Sequence, residues 1–321
     1  MAQAQKPELT GILLALGGGV MLSLNDLSIK FLLNGYALHQ IILIRAFISL
    51  IIVFAVIRAT RTGFAQLITR RPRAHLLRVA IVMVSNVTYF LGLAAMPLAD
   101  AVATAFIAPV LVTLMSAVLL REPVGPHRWA AVAIGLLGVL VMVRPTTGAL
   151  QPAAILVLIS ALCYAGSHMM TRRMRDTESA MTLNFYVQIG FIIVSASMGL
   201  WAGDGHLAAA HTGGALEFLF RPWVTPPLPD WPAFIGTGLA VGIGGLMMSQ
   251  AYRTSEAALI APFEYIGMPL AILWGLVVFG TWPDTHAWAG IALICGAGFY
   301  TLLREGMRRK DVDVAAPSGD I

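Results

Sequence analysis

"AFIAPVLVTLM", residues 105–115, returns as "ALIAPFEYIGM" at 258–268, with identity at Ala105/Ala258, Ile107/Ile260, Ala108/Ala261, Pro109/Pro262 and Met115/Met268. A second pair, "HRWAAVAI" at 127–134 and "HAWAGIAL" at 286–293, repeats a His-x-Trp and two alanines. The offsets are 153 and 159, close to half of the 321 residues, so the chain reads as an internal duplication.

The duplicated unit is built for lipid. Hydrophobic residues make up 58% and charged residues 12% of the chain, where soluble domains carry roughly 45–50% and about 25%. A helix crosses the hydrocarbon core in about 20 apolar residues. Runs of that kind begin near residues 12, 39, 76, 98 and 128 in the first copy and near 152, 180, 232, 256 and 286 in the second. They are continuous rather than alternating, which favours a helical bundle over an outer-membrane barrel. Asn25 and Asp26 interrupt the first run and no small-x-small cleavage site follows, so that run is helix one rather than a signal peptide.

The expected fold is therefore an all-α integral membrane protein with ten transmembrane helices. Five is odd, so a tandem copy enters the membrane inverted, the arrangement that puts a binding site near the midplane between two halves. The expected boundaries are a first repeat over 1–146, a second over 147–306 and a basic-to-polar tail over 307–321. The long outer loop, 203–231, is rich in Gly and Pro and reads as a lid or an insertion rather than a folded domain.

A cytoplasmic N-terminus leaves all but four of the 21 cationic residues on the inner side, the exceptions being Lys30, Arg144 and Arg221 outside and Arg45 within a span. The positive-inside rule then puts both termini in the cytoplasm of a bacterial inner membrane. It also accounts for the net charge of +5, so nucleic acid is not an expected partner. The basic stretch "RTGFAQLITRRPRAHLLR", 61–78, reads first as an orientation signal and second as an interfacial segment. The bilayer and a small-molecule substrate are the expected partners, with monomer and homodimer both open.

Chemistry-bearing motifs are sparse. Cys163 and Cys295 lie in apolar spans without CxxC spacing and read as buried thiols. "GGG" at 17–19 and "GIGG" at 242–245 lack the Lys and the strand context of a phosphate loop. Gly135, Gly138, Gly290 and Gly296 read as close helix packing. "NVT" at 86–88 matches a glycosylation sequon but lies inside a span. No metal or cofactor is expected.

Two pairs of segments carry a family resemblance. They are "MPLADAVATAFIAPVLVTLMSAVLLREPVG" with "RWAAVAIGLLGVLVMVRP", and "YRTSEAALIAPFEYIGMPLAILWGLVVFGTWPD" with "WAGIALICGAGFYTLLRE". The chain resembles the drug/metabolite transporter superfamily in its ten-helix EamA-type branch. That resemblance implies a permease, with relatives associated with amino acids, nucleosides, riboflavin, S-adenosylmethionine and metallophores. Such repeats commonly end their fourth helix with Gly-Glu, whereas here the two copies read Arg121-Glu122 and Gly280-Thr281. Glu122 reads as a helix-end cap, and a coupling role at that position is not carried over.

Ionisable groups inside spans cost about 2.5–3.5 kcal/mol on insertion scales, so each is a functional candidate. Asp26 and Arg45 fall at similar depth from the outer end of helices one and two and read as a structural ion pair, with Asp26 a second candidate for proton coupling. Asn25 and Lys30 are candidates to join them. Glu264 lies deeper and lacks a cation at its level, so it must be protonated or face water; it is the first candidate for coupling and for substrate binding. Polar stripes at similar depth, Asn86 with Tyr89, Tyr164 with His168 and Asn184 with Gln188, point to a wet central cavity. Tyr186, Tyr265 and Trp274 are further candidate lining residues. Pro109, Pro262 and Pro269 are candidate hinges, because proline frees the carbonyl four residues back. Leu111 stands where Glu264 would fall in the first copy, so the carboxylate is not part of the duplicated frame.

The reading is a secondary transporter of a small polar metabolite of amino-acid, vitamin or nucleoside type, working by alternating access and coupled to protons. A membrane-embedded enzyme acting on a lipid-linked substrate is the alternative, but its reactive groups should gather at one interface, and here they converge on the middle. A sensor would add a folded soluble domain, which these residues do not encode.

Overall fold

The computed structural model describes residues 5–121, 125–143, 152–208, 216–286, 288–293, 295–297 and 300. Among the described residues the chain is all-helical, with no strand. Seven helical spans are long and apolar enough to cross a membrane: α1 (Gln5–Leu32), α2 (Leu38–Thr60), α3 (Pro72–Ala95), α4 (Leu98–Leu120), α6 (Pro152–Arg173), α7 (Ala180–Ala202) and α8 (Trp231–Thr254). Three shorter apolar segments lie among the described residues as well. They are α5 (Pro126–Val143), α9 (the pieces Ala257–Ile260, Ala261–Ile266 and Gly267–Phe279) and α10 (Trp288–Ala297). The outward faces suit lipid: Ile51, Val118, Leu137 and Leu200 are all exposed.

The duplicated stretches are the two places where a span breaks. In α4 the α-helix stops at Ala105, resumes at Ala108 and ends in a π turn over Ser116–Leu120. In α9 the copied residues, Ala261–Ile266, form a 3-10 stretch between two α-helical pieces. Pro109 and Pro262 each sit at the start of a new helical piece, where a missing amide hydrogen costs little. Pro269 is the third residue of the last piece and is exposed. The backbone is helical through Ile266 (φ −56°, ψ −28°) into Gly267, so Pro269 follows the 3-10 stretch within a continuous helical run. Both spans close on a left-handed residue, Arg121 (φ 55°) and Gly280 (φ 62°). Glycine adopts that conformation freely, while a residue with a Cβ carries about 1 kcal/mol of strain. Glu122, the expected cap, lies outside the described residues.

Packing repeats between the halves. Helix α1 packs on α8 as α6 packs on α3, α2 on α8 as α7 on α3, and α4 on α6 as α9 on α1, while α2 meets α7 and α4 meets α9 directly. The glycine runs make the first contact possible. A Cβ on Gly18 would stand 3.3 Å from the Gly244 carbonyl, and one on Gly244 only 2.8 Å from the Met21 Cβ. Gly135 likewise faces Val110, at 2.9 Å, whereas among the described residues nothing lies within 4 Å of a Cβ built on Gly296.

The described part of the outer loop is docked. Gln40 exchanges two hydrogen bonds with the Val224 backbone (2.6 and 3.1 Å), Tyr36 donates to Asp230 (2.5 Å), and Arg221 donates to the Leu33 carbonyl (2.9 Å). At the other end the linker between α2 and α3 is pinned to α7. The Leu67 carbonyl accepts from Tyr186 at 3.1 Å and that of Gln66 from Thr182 at 2.7 Å. Two apolar clusters form the core, one including Ile29 and Phe234 and reaching the cavity wall at Phe90 and Phe191, the other including Ala15, Met248 and Tyr252. Along α1 the polar residues Ser23, Asn25 and Asp26 fall between Ala15 and Ile29, which sets the polar layer at mid-helix.

Candidate functional site

At that level a cavity of about 280 Å³ opens, walled by α1, α2, α3, α4, α6, α7, α8 and α9. Twelve of the sequence-predicted residues line it: Asn25, Asp26, Arg45, Asn86, Tyr89, Pro109, Tyr164, His168, Asn184, Gln188, Glu264 and Trp274. They reach it because polar stripes at helical spacing face inward while the outer faces carry apolar side chains toward lipid.

Glu264 is held at the broken part of α9 and is 8% exposed. Its Oε2 accepts from the Tyr164 hydroxyl at 2.9 Å, and its Oε1 accepts from the Tyr252 hydroxyl. His168 stacks on Tyr252 (centroids 3.9 Å apart) and meets Tyr164 edge-on (4.3 Å). Among the described residues no cation pairs with Glu264, so the carboxylate sits in a cage of neutral donors. Tyr252 was not among the expected residues. A count of depth along the chain leaves it near the end of α8, and the length of a tyrosine side chain bridges that difference.

The second carboxylate belongs to a network at another corner. Asp26 accepts from Tyr89 (2.8 Å) and from Asn25 (3.1 Å). Arg45, 1% exposed, donates to Asn86 at 2.9 Å and to Asn25 at 3.4 Å, and its guanidinium lies over Phe90 and Phe191. The expected direct ion pair between Asp26 and Arg45 does not form; Asn25 stands between them and also accepts from Thr237 at 2.5 Å. An amide can donate to the carboxylate and accept from the guanidinium at once, so both charges are solvated by dipoles rather than by each other. Lys30 leaves this network altogether and donates to the Leu93 and Met96 carbonyls (2.6 Å each), at the C-terminal end of α3.

Gln188 donates to Asn184 at 2.8 Å, and Trp274 donates to Ser23 at 3.0 Å, tying α9 to α1. Two expected residues lie elsewhere. Tyr186 stacks on His75 (4.3 Å) at the linker, and Tyr265 packs on Phe106 (5.4 Å). The backbone of Pro262 belongs to the 3-10 stretch, and its side chain lies outside the described residues. One further residue lines the cavity that sequence reading had assigned to topology alone: Arg78, from the first turns of α3. Among the described residues no group of His, Cys, Asp and Glu is arranged to hold a metal ion.

A cavity with polar patches in the middle of a lipid-facing bundle is what a carrier requires, and the profile of the EamA-like transporter family matches the chain twice, over residues 9–144 and 151–303. The chain belongs to the EamA-like transporter family. It is 30% identical to the riboflavin transporter of Rhizobium johnstonii, over 78% of this chain and 76% of that one. It is 23% identical to the S-adenosylmethionine uptake transporter of Rickettsia prowazekii, over 95% and 96%. A solved crystal structure shares its fold, with a TM-score of 0.71 at 20% identity, over 92% of this chain and 98% of that one. This EamA-like protein is thus a multi-pass membrane transporter for a small metabolite, and the enzyme alternative falls.

Proposed function

We propose that this EamA-like transporter is a secondary active permease of a bacterial inner membrane that carries a flat heterocyclic metabolite, of the flavin or nucleoside class, by alternating access. Ten spans form two inverted five-helix repeats, over 1–146 and 147–306, with both termini in the cytoplasm. The helix contacts that map onto one another when the halves are exchanged support this arrangement, as does the double family match. Inversion makes the two half-open states near mirror images, so rocking about a fixed central site exposes it to each side in turn.

The observation that carries the reading is Glu264, caged by Tyr164 and Tyr252 on the broken segment of α9 and lining the central cavity. A buried carboxylate with neutral donors only is poised to take up a proton or a substrate hydrogen-bond donor. The rings of Tyr164 and His168, which line the cavity, offer aromatic surface to a planar ligand, with Tyr252 stacked behind His168. Riboflavin and S-adenosylmethionine, named for two relatives, both contain fused heterocycles, which supports that class for this chain. The breaks in α4 and α9 supply the flexible points at which the site closes.

Uptake of riboflavin and of S-adenosylmethionine into proteoliposomes, with and without an imposed pH gradient, tests the reading. At least one should accumulate, faster with the gradient, and Glu264→Gln should abolish the accumulation. Equal uptake in protein-free vesicles would overturn it.

A further inference from the structure

We propose that Arg78 forms an anion-binding subsite of the central cavity and recognises a carboxylate or phosphate on the transported molecule. The proposal rests on the reading of this cavity as the substrate site. Arg78 is 6% exposed, and lines the cavity. Its Nε donates to the Thr171 hydroxyl and its Nη1 to the Leu183 carbonyl, both at 3.0 Å, which fixes the guanidinium plane between α6 and α7. Both partners are neutral, and Nη2 has no partner among the described residues. Among the described residues no carboxylate forms an ion pair with it, and Asp26 and Glu264 accept from tyrosines instead.

A buried cation without a counter-ion is costly, and proteins normally pair such a group. Arg45 shows how this fold settles the matter when a guanidinium is structural: two amides and two aromatic faces surround it. Arg78 lacks that surround. Two of its donors are anchored, and the remaining edge is left for an incoming acceptor, the geometry in which arginine binds carboxylate and phosphate. His168, within electrostatic reach of Arg78, has both ring nitrogens buried and unpartnered, which leaves one ring donor and one ring acceptor open beside it. A ligand that brings an anionic group supplies an acceptor to the free edge of Arg78 and to the ring N–H, with the rest of the molecule extending toward Glu264.

Two matched pairs of probes separate this subsite from the ring-binding reading. Riboflavin is compared with riboflavin 5′-phosphate, and 5′-methylthioadenosine with S-adenosylmethionine, whose amino-acid end carries a carboxylate. Binding to purified protein in nanodiscs is followed by thermal shift and by tryptophan fluorescence, with inorganic phosphate and acetate as minimal anions. In at least one pair the member that carries the phosphate or carboxylate should bind tighter, and Arg78→Gln should weaken it by roughly tenfold or more while leaving the member without that group unchanged. Arg78→Lys, which keeps the charge and loses the fork, should fall between. Equal weakening of both members, or no preference in the wild type, would make Arg78 a strut and end the proposal. If no heterocycle binds but the minimal anions still stabilise the wild type and not Arg78→Gln, the substrate class is wrong and the subsite stands. If the minimal anions also fail, both fall.

Discussion

Replacing Glu264 by glutamine is the most informative single change, because it preserves shape and removes only charge. In the wild type each carboxylate oxygen accepts from a tyrosine, one from Tyr164 at 2.9 Å and the other from Tyr252. Glutamine keeps one acceptor oxygen and presents an amide NH₂ at the other position, so one tyrosine must turn its hydroxyl to accept. Two bonds to a carboxylate, at about 1.5–3 kcal/mol each, become two neutral bonds at about 1 kcal/mol each, so the fold should lose roughly 2 kcal/mol. That is a modest loss for a bundle of this size, and the variant should be made and purified. If Glu264 recognises substrate or carries the coupling proton, initial uptake into proteoliposomes should fall by roughly a hundredfold, equivalent to about 2.7 kcal/mol. A glutamine variant that transports at the wild-type rate, at matched protein density, would refute the functional role and leave Glu264 as a bracing group.

Asn25→Ala removes the bridge between Arg45, Thr237 and Asp26, leaving buried charge under-solvated, and should lower thermal stability by about 3 kcal/mol in a denaturation assay. Arg121→Gly relieves a left-handed residue at the end of α4 and should raise stability by about 1 kcal/mol without changing transport. Gly244→Ala places a methyl 2.8 Å from the Met21 Cβ and 3.3 Å from the Gly18 carbonyl, so α1 and α8 must separate; a loss of about 1–3 kcal/mol is expected on thermal unfolding. Gln40→Ala breaks both hydrogen bonds to Val224 and should speed hydrogen exchange across 221–230, with little change in exchange within α8.

Much of the fold was legible because lipid imposes a simple code. Apolar runs long enough to span and the repeated proline segments follow from hydropathy and spacing. The inward polar stripes were equally legible, since a polar group in a span has few tolerable places to point, and Asn86, Tyr89, Tyr164, His168, Gln188 and Glu264 all line the cavity. Depth counting was less successful for partners. It matched Asp26 with Arg45 on level alone and missed that Asn25 would come between them. It overlooked Tyr252 because residues near the end of a helix look solvated until a neighbouring helix covers them.

Sequence by itself determined that this chain is a duplicated, helical membrane protein with an unmatched glutamate in the second copy of its broken helix. Hydrophobic length and local backbone chemistry are properties of segments, and segments are what a sequence lists. Tertiary structure alone decided which groups neutralise which. Tyr252 rather than a cation meets Glu264, an amide separates Asp26 from Arg45, and Arg78 lines the cavity. Those outcomes depend on angular position around packed helices and on the reach of long side chains, which differ by an ångström or two between a contact and a gap. Linear spacing does not carry that information, because it emerges only when one helix rotates into register against another.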